Sequence, residues 1–378
     1  MDSKRYNNIK LAAGIAEGIL TFIIFLVFIA SGLSVRLESL LTGSGLNSYL
    51  VFILFVLVSG FALGTILFPL KYFKDFYLEH KYNLSNQTFL KWILEDLKAL
   101  GVSLVIGIPL LLAFYYLLNV FGQLWWLPFA ILVFIVSVIL ARVVPVFILP
   151  LFYKITPIDN DDLKDRITKL AADARIRVEN VYKFDMSRKT KKANAAFTGL
   201  GKSKRILLGD TLLENYTGDE VETIIAHELG HYKKKHIIKN IIIGTFSSFL
   251  TLFLISYFYK LSLPWFGFEA ITRIAALPLL TLWMMLIGLI QTPLSNILSR
   301  KFEYEADEYA INSTGKPSAF KAALQKLTEQ NLGDKEPHPF VEWFFYSHPS
   351  IKKRISAIEI FLSDKKDFFD QKLKLEGN

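Results

Sequence analysis

Six long apolar runs constrain the fold of this chain more than any other feature of its 378 residues. Each run is long enough to cross the hydrocarbon core of a bilayer as a helix, and a helix satisfies its own backbone hydrogen bonds there. A hydrophobic content of 52% agrees with this interpretation. The sequence therefore predicts a mainly α-helical, polytopic membrane protein with spans at residues 11–33, 49–70, 101–120, 124–150, 241–259 and 275–297.

The distribution of lysine and arginine predicts the orientation of these spans. Basic connections alternate along the chain with connections poor in Lys and Arg, and basic connections stay on the cytoplasmic side. Both termini are therefore expected in the cytoplasm of a bacterial inner membrane or its equivalent, with membrane lipid as a partner. The net charge of +9 is mainly this topology signal, so no nucleic-acid partner is expected. The basic segments are residues 1–10, 71–100, 151–236 and 298–378.

The chain contains no cysteine, which excludes disulfides, iron–sulfur clusters and cysteine zinc ligands.

The chain is predicted to divide into four parts. The parts are a four-span membrane region at 1–150, a polar inner-side part at 151–236, two further spans within 237–297, and a helical C-terminal part at 298–378.

Periodicity in the polar part predicts a small α+β unit. Residues 160–174 have the apolar spacing of a helix, and residues 178–184 alternate like a strand. Residues 193–199 and 204–209 flank a turn and predict a hairpin. The basic run 187–192 is interpreted as a solvated loop, with contact to lipid or substrate as the alternative.

The stretch AHELGHYKKKH, residues 226–236, has the H-E-x-x-H spacing of zinc peptidases. On a helix, His227 and His231 lie one turn apart on one face and can bind the same tetrahedral zinc ion. Glu228 is displaced by one position, so it can act as a general base on a metal-bound water. Thr217 and Glu220 form a capping-box pattern that begins this helix, which is predicted to continue into the fifth span. The alternative is a helix whose histidines only pack at an interface.

A catalytic zinc needs a third protein ligand, and the segment after the sixth span offers one. His236 is a poor candidate because, five residues past His231, it would point about 140° away on a continuous helix. In SRKFEYEADEYA (299–310), Glu303 and Asp307 share one helix face. Glu303 is therefore predicted as the third ligand and Asp307 as an outer acceptor for a ligand histidine, whereas Glu305 is expected to face solvent. A charged helix beside the membrane is the alternative.

These motifs resemble the membrane zinc proteases of the CAAX prenyl protease 1 type. The resemblance rests on HELGH followed by two spans and R-x-F-E-x-x-A-D, and it covers about residues 45–360. It implies a zincin-like metalloprotease part on the inner membrane face, one zinc ion per chain, and a peptide or protein substrate that can carry a lipid. The further matching stretches are EHKYNLSNQT (79–88), ANAAFTGLGKSKRILLGDTLL (193–213) and YSHPSIKKRISAI (346–358).

The resemblance also implies roles for individual residues. Asn194 and Ala195 match the edge-strand positions that hold the substrate backbone beside the zinc. His348 matches a histidine that stabilises the oxyanion, although a histidine before a proline can also be a simple turn residue. Arg354 is expected to support that corner of the substrate-binding site. Ala196 departs from the aromatic residue of the family pattern, which leaves the shape of the substrate groove open.

The function predicted from these residues and the resemblance is zinc-dependent endopeptidase activity near the C-terminus of prenylated CAAX-type or other membrane-associated peptides. The chain starts later than the eukaryotic enzymes, which predicts six spans and a prokaryotic-like member of the family. One alternative is a quality-control membrane protease of the heat-shock HtpX group, which has fewer spans. Another is a non-catalytic membrane protein with structural zinc, against which the presence of Glu228 argues.

Overall fold

The computed structural model describes residues 2–176, 178, 180–198 and 205–376. Helices make up most of these residues, and π-helical turns at Phe73–Tyr77 and Val144–Ile148 join consecutive helices into longer rods. The α-helices are α1 (Asp2–Ala30), α2 (Leu33–Thr42), α3 (Ser48–Tyr72), α4 (Leu78–Lys81), α5 (Phe89–Phe121), α6 (Trp126–Val143), α7 (Leu149–Phe152), α8 (Asp161–Asp173), α9 (Asp210–Asn215), α10 (Gly218–Lys233), α11 (His236–Ser262), α12 (Pro278–Thr314), α13 (Pro317–Gln330), α14 (Pro339–Phe345) and α15 (Ile351–Glu376).

The predicted spans are confirmed by six helical segments of the described chain that are long and apolar enough to cross a membrane. The last helix of this set, α12, has 37 residues and extends roughly 55 Å at 1.5 Å per residue. It exceeds the ~30 Å hydrocarbon core and continues into the segment that carries Glu303. The segments are Asp2–Ala30, Ser48–Lys81, Phe89–Leu124, Trp126–Phe152, His236–Phe266 and Ile274–Thr314.

A sheet with the strand order β1-β2-β4-β3 lies between α7 and α9 in the chain. The hairpin prediction is confirmed, because β3 and β4 pair antiparallel, while the predicted turn at 200–204 lies outside the described residues. The last strand, β3, occupies one edge of the sheet. The strands are β1 (Ile155–Pro157), β2 (Asn180–Phe184), β3 (Ala195–Thr198) and β4 (Arg205–Gly209).

The helix predicted at 160–174 is α8, and its sequence explains how it packs. Asn160 accepts a hydrogen bond from the backbone N–H of Leu163 and so caps the first turn. Leu163, Ile167 and Leu170 recur at helical spacing and are buried against the core beneath the sheet and α10. Val221, Ile225 and Leu229 of α10 belong to the same core, which positions the histidines of the motif.

The helix that carries the motif begins as predicted but does not continue into the fifth span. Thr217 and Glu220 form the capping box at the start of α10. The helix ends at Lys233, and Lys235 adopts a left-handed backbone conformation with φ of 59° before α11 begins at His236. The prediction of one continuous helix is therefore wrong. A non-glycine residue in this conformation costs roughly 1–2 kcal/mol, so the surrounding structure must hold the break in place.

The basic run 187–192 packs more tightly than a solvated loop. The backbone N–H of Lys191 donates to the carbonyl of Leu84, and Lys192 pairs with the buried Glu79 at 2.8 Å. Arg188 and Lys191 are exposed as predicted, whereas the other residues of the run are partly buried. The 79–88 segment therefore holds the chain immediately before β3.

Candidate metal centre

The structure brings His227, His231 and Glu303 together, with one ligand atom of each within 4.8 Å of the others. The Nε2 atoms of the two histidines lie 3.1 Å apart. Glu303 Oε1 lies 3.3 Å from His231 Nε2, and its Oε2 lies 3.5 Å from His227 Nε2. The four atoms thus surround one point between α10 and α12.

Small residues allow the two helices to approach this closely. A Cβ atom on Gly230 would lie 3.1 Å from both the Cα and the carbonyl oxygen of Ala306. Ala306 and Ala310 are fully buried on the side of α12 that carries Glu303 and Asp307. The glycine inside the H-E-x-x-H motif therefore sets the distance between the histidines and Glu303.

The chemistry of this group fits a metal ion. Glu303 is buried, its two carboxylate oxygens face the Nε2 atoms of His227 and His231, and His348 Nδ1 lies 2.8 Å from Oε2. Burial of a charged carboxylate is costly unless its charge is balanced, and a cation between the carboxylate and the two imidazoles would help to balance it. Two histidines and one glutamate are also the ligand set of many catalytic zinc sites.

The far side of His227 contacts the predicted outer acceptor. Asp307 Oδ1 lies 2.8 Å from His227 Nδ1, and Asp307 is buried. Burial alone would lower the pKa of His227, but its hydrogen bonds to Asp307 and Glu303 outweigh burial and raise that pKa to about 9. A metal ion must displace this proton to bind His227.

Arg354 lies beneath the carboxylates, where it can support them. Its Nε donates to Asp307 Oδ2 at 2.8 Å, a second nitrogen pairs with Asp307 Oδ1, and Nη1 lies 3.5 Å from Glu303 Oε2. Its side chain is 12% exposed. Arg354 is thus placed to support the corner formed by Glu303 and Asp307, and direct contact with substrate remains a prediction.

The far side of His231 contacts His236, which in turn contacts Glu305, and the sequence did not suggest a role at the site for either residue. His236 Nδ1 lies 3.1 Å from His231 Nδ1, because the break at Lys235 turns α11 relative to α10. His236 Nε2 lies 2.9 Å from Glu305 Oε2. The expectation that His236 points away is therefore wrong, because it assumed one continuous helix. Glu305 was expected to face solvent; its side chain is 27% exposed, but it also pairs with His236.

Glu228 and His348 lie next to the ligand group. Glu228 is partly exposed and has neither a hydrogen-bond partner nor an ion-pair partner in the described part of the chain. His348 is 65% exposed and lies beside Glu303. Its segment is held by α12, because Arg300 donates to the carbonyl oxygens of Glu342 and Tyr346 at 3.0 and 2.6 Å.

The edge strand β3 packs against α10 through a side-chain contact. Phe197 of β3 packs against Tyr232 of α10, with ring centroids 5.4 Å apart. The backbone N–H of Gly209 donates to the carbonyl of Asn194, so alternate residues of β3 face β4. The backbone groups of Ala195 therefore face the open edge, and the side chain of Asn194 is exposed.

Comparison with known proteins agrees with this geometry. Residues 157–361 match the model of peptidase family M48. Residues 1–154 match the model described as the CAAX prenyl protease N-terminal region with five membrane helices.

Similar proteins match over most of this chain. It is 32% identical to an uncharacterized metalloprotease, YhfN, from Bacillus subtilis, over 94% of this chain and 84% of that protein. It is 32% identical to CAAX prenyl protease 1 from Saccharomyces cerevisiae, over 79% of this chain and 69% of that protein. The crystal structure of Ste24p from S. mikatae superposes with a TM-score of 0.85 and 26% identity, over 94% of this chain and 88% of that one. The chain therefore belongs to peptidase family M48, as a multi-span membrane zinc metalloendopeptidase homologous to the CAAX prenyl proteases.

Proposed function

We propose that this protein binds one zinc ion per chain on His227, His231 and Glu303. With it the protein cleaves prenylated CAAX-type or other membrane-associated peptides near their C-termini. The observation that carries the proposal is the convergence of these three side chains beside an open strand edge, at the end of membrane-spanning helices. A site of this kind can hold an extended peptide and hydrolyse it next to the membrane.

The proposed chemistry divides between the metal and the residues around it. Bound zinc would polarise the scissile carbonyl and acidify a water molecule. The partly exposed carboxylate of Glu228 takes a proton from that water and passes it to the leaving amine. His348, exposed beside Glu303, stabilises the oxyanion, and Asp307 and Arg354 hold the ligands in place.

The substrate backbone is proposed to pair with β3. Among the residues that the structure describes, nothing pairs with the outward N–H and C=O groups of Ala195, so they can extend the sheet by one strand, and the exposed side chain of Asn194 can bind a neighbouring peptide group. Asn331 supports this edge, because its side chain accepts from the N–H of Ala193 at 2.9 Å and donates to its carbonyl at 3.1 Å.

An apolar groove supports the proposal that the substrate carries a lipid. The groove lies between α1 and α12 and has a volume of about 900 Å³. Gly14 and Gly18 leave it open, since a Cβ atom at either position would meet nothing within 4 Å. At one end it reaches Tyr346, two residues before His348. A prenyl chain in this groove would keep its peptide near the metal.

A paired peptide assay tests the substrate class. We expect detergent-purified protein to cleave a farnesylated CAAX-type peptide with a kcat/KM at least about tenfold higher than its unfarnesylated twin. Burial of two methylene groups alone contributes about 1.6 kcal/mol, and 1.4 kcal/mol corresponds to a factor of ten. A chelator should abolish cleavage, and added zinc should restore it. Equal cleavage of both peptides would disprove lipid recognition and favour a general membrane protease.

We further propose that both termini and the metal centre are cytoplasmic, with the chain divided at 150, 236 and 297 as the sequence predicts. The support is the basic composition of the segments around the metal site. Because the chain has no cysteine, single substitutions can report the topology. In intact cells, a membrane-impermeant maleimide should label Glu269→Cys but not Lys352→Cys, and permeabilisation should expose the latter. Labelling of Lys352→Cys in intact cells would reverse the orientation.

A further inference from the structure

A row of three polar side chains, His231, His236 and Glu305, leads from the candidate metal centre to α12, and its middle member is buried. His236 Nδ1 lies 3.1 Å from His231 Nδ1, and His236 Nε2 lies 2.9 Å from Glu305 Oε2. His236 is 1% exposed, and its ring stacks on Phe302 with centroids 4.1 Å apart. Lys239 lies 3.6 Å from Glu305 and balances its charge. The ring of His236 is thus held by packing, and the carboxylate of Glu305 is held by an ion pair.

The donor and the acceptor of both hydrogen bonds between His231, His236 and Glu305 can be assigned. An ionised glutamate only accepts hydrogen bonds, so Nε2 of His236 must donate to Glu305. In a neutral imidazole the other nitrogen then accepts, so Nδ1 of His236 accepts from Nδ1 of His231. That bond leaves the lone pair of His231 on Nε2, the atom that faces His227 and Glu303.

We propose that His236 and Glu305 are positioning residues that fix the tautomer and ring orientation of His231 for metal binding. The inference rests on the metal site proposed above. In this arrangement each ligand histidine has an outer carboxylate. Asp307 contacts His227 directly, and Glu305 acts on His231 through His236. Such outer partners raise the basicity of the ligand and hold its ring.

The helix break at Lys235 is what brings His236 into contact with His231. On a continuous helix, His236 would lie about 140° around the axis from His231 and their rings could not meet. The left-handed conformation of Lys235, with φ of 59°, starts α11 in a new direction and brings the two Nδ1 atoms to 3.1 Å. The backbone strain at Lys235 thus places a side chain that a regular helix would have turned away.

Metal affinity and the absorption spectrum of the cobalt-substituted protein test the proposal in the full-length chain. His236→Phe keeps an aromatic ring against Phe302 but removes both nitrogens, and we expect zinc to bind about 10–100-fold more weakly, with a shifted cobalt spectrum. Glu305→Ala removes the acceptor at the partly exposed end without touching the buried ring. It should also weaken binding. Glu305→Gln keeps an acceptor oxygen and should retain more affinity than Glu305→Ala.

Two controls separate this inference from its alternatives. Phe302→Leu removes the stacking partner but neither hydrogen bond, so it should bind zinc like the wild type. A loss equal to that of His236→Phe would show that packing alone matters. His231→Ala should lose the metal. If it does, and both His236→Phe and Glu305→Ala keep wild-type affinity and spectrum, the positioning role is disproved while the metal site stands. If His231→Ala binds zinc normally, the proposed metal site itself is wrong.

Discussion

Glu228→Gln is expected to reduce peptide cleavage on the order of 10²–10⁴-fold while leaving the zinc content unchanged. Glutamine has nearly the shape of glutamate but cannot take a proton from water at neutral pH. Glu228 follows a ligand histidine on α10 yet has no hydrogen-bond or ion-pair partner among the residues that the structure describes. The substitution therefore removes a proton acceptor without breaking a contact. The measurement is kcat for the farnesylated peptide, with zinc per chain determined on the same samples.

A matched control for this prediction lies on α12. Glu308→Gln makes the same chemical change at a partly exposed position that is not part of the ligand group. It should cleave at the wild-type rate. Activity of Glu228→Gln within about tenfold of the wild type would exclude Glu228 as the general base, because base catalysis contributes at least about a hundredfold.

The parts of the fold that follow from local chemistry could be predicted from the sequence. Apolar runs of span length gave the six membrane helices, and the capping box of Thr217 and Glu220 gave the start of α10. The spacing of four residues placed His227 beside His231, and the same spacing placed Glu303 and Asp307 on one face of α12. Each of these features depends on residues within one continuous segment of the chain.

The contacts of His236 with His231 and Glu305 could not be predicted, because they depend on the backbone conformation of one residue. Lys235 carries no sequence signal for a left-handed turn, because glycine or asparagine usually occupies that conformation. Without the break, His236 could not be placed beside His231, and Glu305 could not be recognised as its partner. The nearest signal in the sequence is the pair of histidines five residues apart, a spacing that a continuous helix leaves unused.

Contacts between segments that are far apart in the chain also could not be predicted from the sequence. Arg354 reaches Asp307 across 47 positions, and Lys192 reaches Glu79 across an even longer separation. Neither pair shares a helix or a strand, so no periodicity connects them. The resemblance placed Arg354 near the site, but its position beneath both carboxylates follows only from the packing of α15 against α12.

Glu303→Gln is expected to remove zinc from the protein and, with it, peptide cleavage. Glu303 is the anionic member of the ligand group, and it is buried beside His227, His231 and Arg354. A neutral amide neither balances the charge of a divalent cation in this setting nor matches a carboxylate as a ligand. We therefore expect a loss of affinity larger than the 10–100-fold typical of an outer partner. The measurement is zinc per chain after dialysis, about one in the wild type.

Asp307→Asn provides the comparison that separates a ligand from its support. Asparagine can still contact His227 Nδ1, but it loses the charge that pairs with Arg354. Zinc affinity should fall about 10–100-fold, so that saturating zinc restores the metal content and most of the activity, which it should not do for Glu303→Gln. Equal and complete zinc loss in both variants would make Asp307 a ligand rather than an outer acceptor. Full zinc content in Glu303→Gln would show that Glu303 is not a ligand, because the metal would then bind without its carboxylate.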